Sequence, residues 1–190
     1  DQVRAISHPT TTDPNDAKTL GAADLVTLTR TDTITDKDGD TSTGSNSINL
    51  GSAISFLDDG PSITVSATTP SANSLQVDES NLANNTTVSF TGSFTNAPSY
   101  GADGAGTVTS AYALGIKTAA QDSGLVDTAT GQKVYLYLES GVVVGRVGLA
   151  GAASATGDIS FTVTNSNGSL TLDQVRAISH PTTTDPNDAK

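Results

Sequence analysis

The sequence contains no cysteine, methionine or tryptophan. Without cysteine there is neither a disulfide nor thiolate chemistry, so the fold is indifferent to the redox compartment. Aromatic residues make up only 4%, which leaves few platforms for stacking sugars or bases. The core must rest on Val, Ile, Leu and Ala. No apolar run approaches the about 20 residues needed to cross a bilayer, so no direct membrane insertion is expected. Basic residues are scarce: nine Lys and Arg stand against twenty Asp and Glu, for a net charge of −11. A phosphate backbone requires clustered Lys and Arg, so nucleic acid is not expected as a partner. Glutamate is nearly absent too, with Glu79 and Glu139 the only two against 18 Asp. Glu would suit solvated helices, whereas Asp suits turns and compact oxygen-ligand sites.

What is abundant is Thr (30), Ser (22) and Gly (18). Thr is at home on pleated surfaces and Gly in turns, so the mixture points to an all-β chain. One stretch occurs twice. DQVRAISHPTTTDPNDAK fills residues 1–18 and returns unchanged at 173–190, a spacing of 172 residues between Asp1 and Asp173. A repeat of that fidelity and period is expected of a piece cut from a tandem array, and it points to length and multiplicity rather than to one active site. No secretion signal is visible, as expected of a piece from mid-array.

Period-2 alternation marks the strands. It runs through Val26, Leu28 and Ile34, resumes at residues 47–50 and 53–57, and begins again at Ile63 and Val65. Further strands are expected at 75–77, 88–94 and 108–116, and residues 3–7 form either a strand or a short helical turn. The clearest hairpin is KVYLYLE–SG–VVVGRV over 133–147, and a second joins ISFTVT to SLTL through residues 165–168. Gly60-Pro61 is the strongest boundary, because proline removes a ladder donor and the glycine before it permits an abrupt change of direction. Residues 1–61 are therefore expected to be the C-terminal part of one repeat and 62–190 the N-terminal part of the next. About ten to twelve short strands per period exceed one seven-stranded immunoglobulin unit of about 100 residues. The expected architecture is an antiparallel β-sandwich, immunoglobulin-like or cadherin-like, elaborated or split into two lobes per 172-residue repeat.

Three acidic clusters stand out: Asp36-Lys37-Asp38-Gly39-Asp40, Asp58-Asp59-Gly60-Pro61 and Val77-Asp78-Glu79-Ser80. Calcium takes about six to eight hard oxygen ligands from carboxylates and carbonyls. Alternate Asp residues around a glycine can aim several carboxylates at one centre. Asp36, Asp38 and Asp40 form half of an EF-hand loop, but the closing Glu is missing from residues 41–46. Asp58 and Asp59 sit at the inferred repeat boundary. A strand out and back would return Asp78 and Glu79 to the same junction, where carboxylates from both sides would hold calcium between two domains.

These residues carry a resemblance. SLQVDES, YGADGAGTVTSAYAL, GLVDTATGQKVYLYLESGVVVGRVG, AISHP, TDKDGDT and FLDDGPSI resemble the extender repeats of giant RTX (repeats-in-toxin) adhesins, the LapA-like biofilm adhesins of Gram-negative bacteria. The likeness runs along essentially the whole period. It implies calcium-stiffened β-sandwich modules of a stalk, exported by type I secretion to the bacterial cell surface, with neighbouring repeats of the same chain as partners. The family's acidic interface motifs match at Asp58, Asp59, Asp78, Glu79 and the Asp36 to Asp40 turn, which makes Ca2+ the expected ion. The glycine-rich nonapeptide array of that family is missing, as a mid-stalk piece would have it.

Catalysis is not expected. His8 and His180 are copies of one position, and a single loop histidine beside proline reads as structural or solvated. No G-x-S-x-G elbow occurs, and the glycine-rich stretch 101–106 lacks the Lys-Ser/Thr of a phosphate loop. The expectation is a structural extender of a cell-surface adhesin that holds ligand-binding domains away from the bacterium. The rival reading is a glycan- or surface-binding sandwich acting by avidity.

Overall fold

The computed structural model describes residues 2–8, 10 and 12–180, so the last ten residues of the second 18-residue copy lie outside the described set. The described residues form twelve β-strands joined by loops and five single-turn 3-10 helices, with no α-helix among them. The chain is all-β with antiparallel sheets, as expected, and its architecture is consistent with a β-sandwich. It divides into two compact units, one of Asp1–Thr64 with Ala97–Val108, the other of Val65–Asn96 with Thr109–Lys190.

The first unit is built from two ribbons. Strands β1 (Ala17–Thr19) and β4 (Ser55–Leu57) pair antiparallel, Ala17 opposite Leu57 and Thr19 opposite Ser55. Strands β2 (Thr27–Thr35) and β3 (Thr41–Asn49) pair along their whole length, from Thr27 opposite Asn49 to Thr35 opposite Thr41. Thr-rich alternation favours both strands, and the Asp36 to Asp40 turn between them closes as its composition demands. Gly39 takes φ +100°, a conformation open to glycine at little cost. Every residue of β2 and β3 is exposed, including Leu28, Ile34 and Ile48.

The chain passes between the units through a third ribbon, in which β5 (Ser62–Ala67) pairs with β7 (Phe94–Ser99). The division falls within it, after Thr64 and after Asn96.

The second unit holds a six-stranded sheet. Its strands are β6 (Thr86–Ser89), β8 (Gln121–Val126), β9 (Lys133–Glu139), β10 (Val142–Val147), β11 (Ile159–Ser166) and β12 (Ser169–Gln174), in the spatial order β6-β12-β11-β10-β9-β8. Both expected hairpins form. Ser140 and Gly141 take φ +50° and +83°, and Asn167 and Gly168 take +49° and +84°. Two successive positive φ angles give the turn whose twist matches that of paired strands. The core lies along β9 and β10, where Val134, Val143, Val144 and Val147 are buried. Val143 and Val144 point to opposite faces, so β10 is covered on both. Gly145 is opposite Phe161, and a Cβ there would meet the ring at 2.3 Å. The missing side chain is what lets the ring lie across the sheet.

Several expected strands are different in the structure. Residues 108–116 do not join a ladder, although Tyr112, Leu114 and Ile116 are half-buried and residues 111, 113 and 115 exposed. Their alternation reflects packing without pairing. The Tyr112 carbonyl accepts the Asn165 side-chain amide at 2.7 Å, and the Tyr112 ring meets Phe94 edge-on. Residues 75–77 likewise join no ladder, and residues 3–7 are irregular.

Candidate functional site

The acidic turn of β2–β3 brings Asp36, Asp38 and Asp40 together, with a carboxylate oxygen from each lying within 4.8 Å of the others. Asp36 Oδ1 accepts the Gly39 and Asp40 amides at 3.1 and 2.9 Å. These bonds curl the turn so that the three side chains converge. The Asp38 side chain above all, opposed by desolvation and helped by the turn amides, holds the Asp36 carboxyl below its ordinary value. All three residues are exposed. Three carboxylates from one turn supply about half of a calcium shell, with carbonyls and water to complete it.

Asp58 and Asp59 follow β4 directly. The Asp58 amide donates to the Asp16 carbonyl at 3.1 Å, which extends the β1–β4 ladder by one rung. The Asp58 carboxylate therefore joins Asp16 and His8, the three offering ligand atoms within 4.8 Å of one another. His8 Nδ1 stands 3.1 Å from Asp16 Oδ1. The two side chains are only 5% and 12% exposed. The pair is close but off the line of a hydrogen bond, and neither atom has another hydrogen-bond partner. The Asp59 carbonyl lies against Gly101, whose φ of +70° and absent side chain permit the approach.

Asp78 and Glu79 belong to the second unit, whereas Asp58 and Asp59 belong to the first. Asp78 caps a single turn of 3-10 helix (Glu79–Asn81) by accepting the Ser80 amide at 2.9 Å, and that bond lowers its pKa. Glu79 Oε1 is engaged by the second copy of the 18-residue stretch. It accepts the Gln174 side chain at 2.6 Å and the Ile178 amide at 2.8 Å, with His180 Nε2 at 3.4 Å.

The same copy supplies Arg176 to Asp127. Asp127 is fully buried, with Oδ1 accepting from Arg176 Nε at 2.7 Å and Oδ2 from Arg176 Nη2 at 3.1 Å. The Thr130 amide and hydroxyl complete its shell at 2.9 and 2.6 Å. Arg176 first, then Thr130, against the opposing effect of burial, bring the Asp127 carboxyl down to about 2. The second copy is thus sewn onto the sheet: its first two residues, Asp173 and Gln174, complete strand β12 (Ser169–Gln174), and the Thr128 amide reaches the Ala177 carbonyl at 3.0 Å.

His8, Asp16, Asp127 and Arg176 were not among the expected site residues. The duplication was the signal available for three of them, since Asp16, His8 and the counterpart of Arg176 (Arg4) all lie in the repeated stretch. Asp127 had none, because its partner comes from 49 residues away.

No curated protein and no solved structure matches the chain. A family model does match, over residues 1–51 and 74–190. By that match, the protein belongs to the family described as domain of unknown function DUF5801.

Proposed function

We propose that this chain is a structural extender, a tandem immunoglobulin-like module of an extracellular RTX adhesin stalk, stiffened by calcium. The observation that carries this reading is the pair of environments taken by one repeated sequence. Its second copy supplies the last two residues of β12, Asp173 and Gln174, and then packs on with Arg176 on Asp127 and the Ile178 amide on Glu79. Its first copy starts the β1–β4 ribbon through Asp16, Ala17 and Lys18. A stretch that both finishes one module and begins another is what a continuous stalk needs, because it ties neighbours without a free linker. The exposed apolar residues of β2 and β3 support the same reading, since Leu28 and Ile48 face each other on a ribbon that belongs to the back of a preceding repeat.

Calcium fits the acidic turn, where Asp36, Asp38 and Asp40 converge with nothing basic among them but exposed Lys37. An ion that binds only the folded turn stabilises it by RT ln(1 + [Ca]/Kd), about 2.7 kcal/mol at a hundredfold excess over Kd.

The test is thermal unfolding of a two-repeat chain in millimolar calcium and in excess chelator. Calcium should raise the melting temperature, and substituting Asn at Asp36, Asp38 and Asp40 together should remove most of the rise. Identical melts in the two buffers would reject the calcium-stiffened reading.

A further inference from the structure

We propose that His8, Asp16 and Asp58 form a binding site for a divalent transition metal of the zinc type, separate from the acidic turn. The ladder brings the two carboxylates together. Ala17 is opposite Leu57, and the next rung, closed by the Asp58 amide on the Asp16 carbonyl, sets Asp16 opposite Asp58. Side chains directly opposite one another share a face, and like charges in that position repel. A cation between them removes the conflict.

His8 makes the site selective. Its side chain is 95% removed from solvent, and Nδ1 lies 3.1 Å from Asp16 Oδ1 without a hydrogen bond between them. Two buried polar atoms that stand this close without a hydrogen bond between them are unfavourable. A metal accepting both lone pairs reverses the sign of that contact. Metal–ligand bonds of about 2.0–2.1 Å in a tetrahedron separate the donor atoms by about 3.3 Å, close to the 3.1 Å observed here.

The outer contacts fit the same assignment. Asp16 Oδ2 accepts the Thr10 amide at 3.3 Å, and Asp58 Oδ1 accepts the Asp59 amide at 2.9 Å. Each carboxylate is thereby oriented by one oxygen and keeps the other available, as outer-shell partners do in metal sites. Calcium and magnesium favour shells of oxygen alone, whereas one imidazole with two carboxylates suits zinc and its neighbours. Three protein ligands leave a fourth position for water. An open cleft of 520 Å³, lined in part by His8, Asp58 and Asp103, gives an ion a way in.

The experiment uses the full 190-residue chain, stripped with chelator and titrated with zinc chloride in the presence of millimolar calcium. Calorimetry should show one zinc equivalent that calcium does not displace. The ring signals of His8 should shift in 15N-resolved spectra with that equivalent, while those of His180 stay in place. His8→Gln should weaken zinc binding by at least about tenfold, and His180→Gln should leave it unchanged. Zinc uptake retained in His8→Gln would overturn the assignment, as would His8 ring signals in the intact chain that do not respond to zinc. The latter would show a plain imidazolium–carboxylate pair. Because the spectrum of the intact chain is read directly, the test stands even if a variant fails to fold.

Discussion

Asp127 should make the stability of the second unit depend on pH in a way that one substitution can isolate. Its carboxyl titrates at about 2 in the folded protein, against an ordinary 3.8. A carboxyl held down on folding contributes stability above its unfolded value and loses it as pH falls through the folded value. The difference from 3.8 to about 2 corresponds to about 2 kcal/mol, at about 1.4 kcal/mol for each tenfold step. Full burial of the carboxylate makes solvent screening a minor correction. Asp127→Asn keeps the shape and removes the charge, leaving Arg176 without its main partner. Breaking a buried pair from one side costs about 3–5 kcal/mol, and Arg176, at 26% exposed, recovers some hydration, which points to the lower end. Urea unfolding of both proteins, followed by tyrosine fluorescence at steps from pH 7 to pH 1.5, reads the gap between them. Three of the four tyrosines (Tyr112, Tyr135 and Tyr137) lie in this unit. The gap should be largest near neutrality, begin to close below pH 4, and have shrunk by about 2 kcal/mol at the acid end. Asp78, Asp122 and Glu139 are also held low, but they titrate alike in both proteins. A gap that stays constant across the range would refute the reasoning.

Two further outcomes follow from packing and geometry. Gly145→Ala places a methyl against the Phe161 ring and should cost about 1–3 kcal/mol in chemical denaturation; combining it with Phe161→Leu should recover part of that loss, and strict additivity of the two would show that they do not share the space. Arg146 grips Glu139 with Nε and Nη2 at 2.7 and 2.8 Å and the Gly157 carbonyl with Nη1 at 2.8 Å, so Arg146→Lys, which lacks the fork, should cost about 1–2 kcal/mol, and a lysine variant as stable as the parent would discount the grip.

The legible parts of the fold were those fixed by neighbours in sequence. The hairpins over 133–147 and 159–172 could be read because alternation and turn residues lie within one short window, and the Asp36 to Asp40 turn for the same reason. Strand β1 was not legible: Ala17–Thr19 has no apolar alternation and is a strand only because Ser55–Leu57 pairs with it. Strand β8 was hidden by Gly124, at φ +78°, and by the register shift between Asp122 and Val126. Residues 108–116 erred the other way, because alternation reports which side is covered and not whether a ladder partner exists. The candidate site shows the same limit. Asp36, Asp38 and Asp40 share a turn and could be grouped from spacing. His8 read as a structural or solvated loop residue, since the rung that sets Asp16 against Asp58 exists only once β1 and β4 have met.

The way the second 18-residue copy leaves the sheet determines how the unit bears tension. Strand β12 is laddered on both edges, to β11 and to β6. Beyond it, the chain is held by the Val175 and Arg176 amides on Ser160, the Thr128 amide on Ala177, the Ile178 amide on Glu79, the Ser179 amide on Val126 and the Arg176 fork on Asp127. A pull applied beyond His180 reaches those bonds before it reaches the strand. They should therefore act as a fuse, parting while the sheet stays whole. Behind them, the β12 bonds lie across the strand axis and are loaded in shear, so they share the force instead of opening one after another. Under stretch, the unit should yield in two stages, a soft release of the terminal segment and then an abrupt rupture of the sheet.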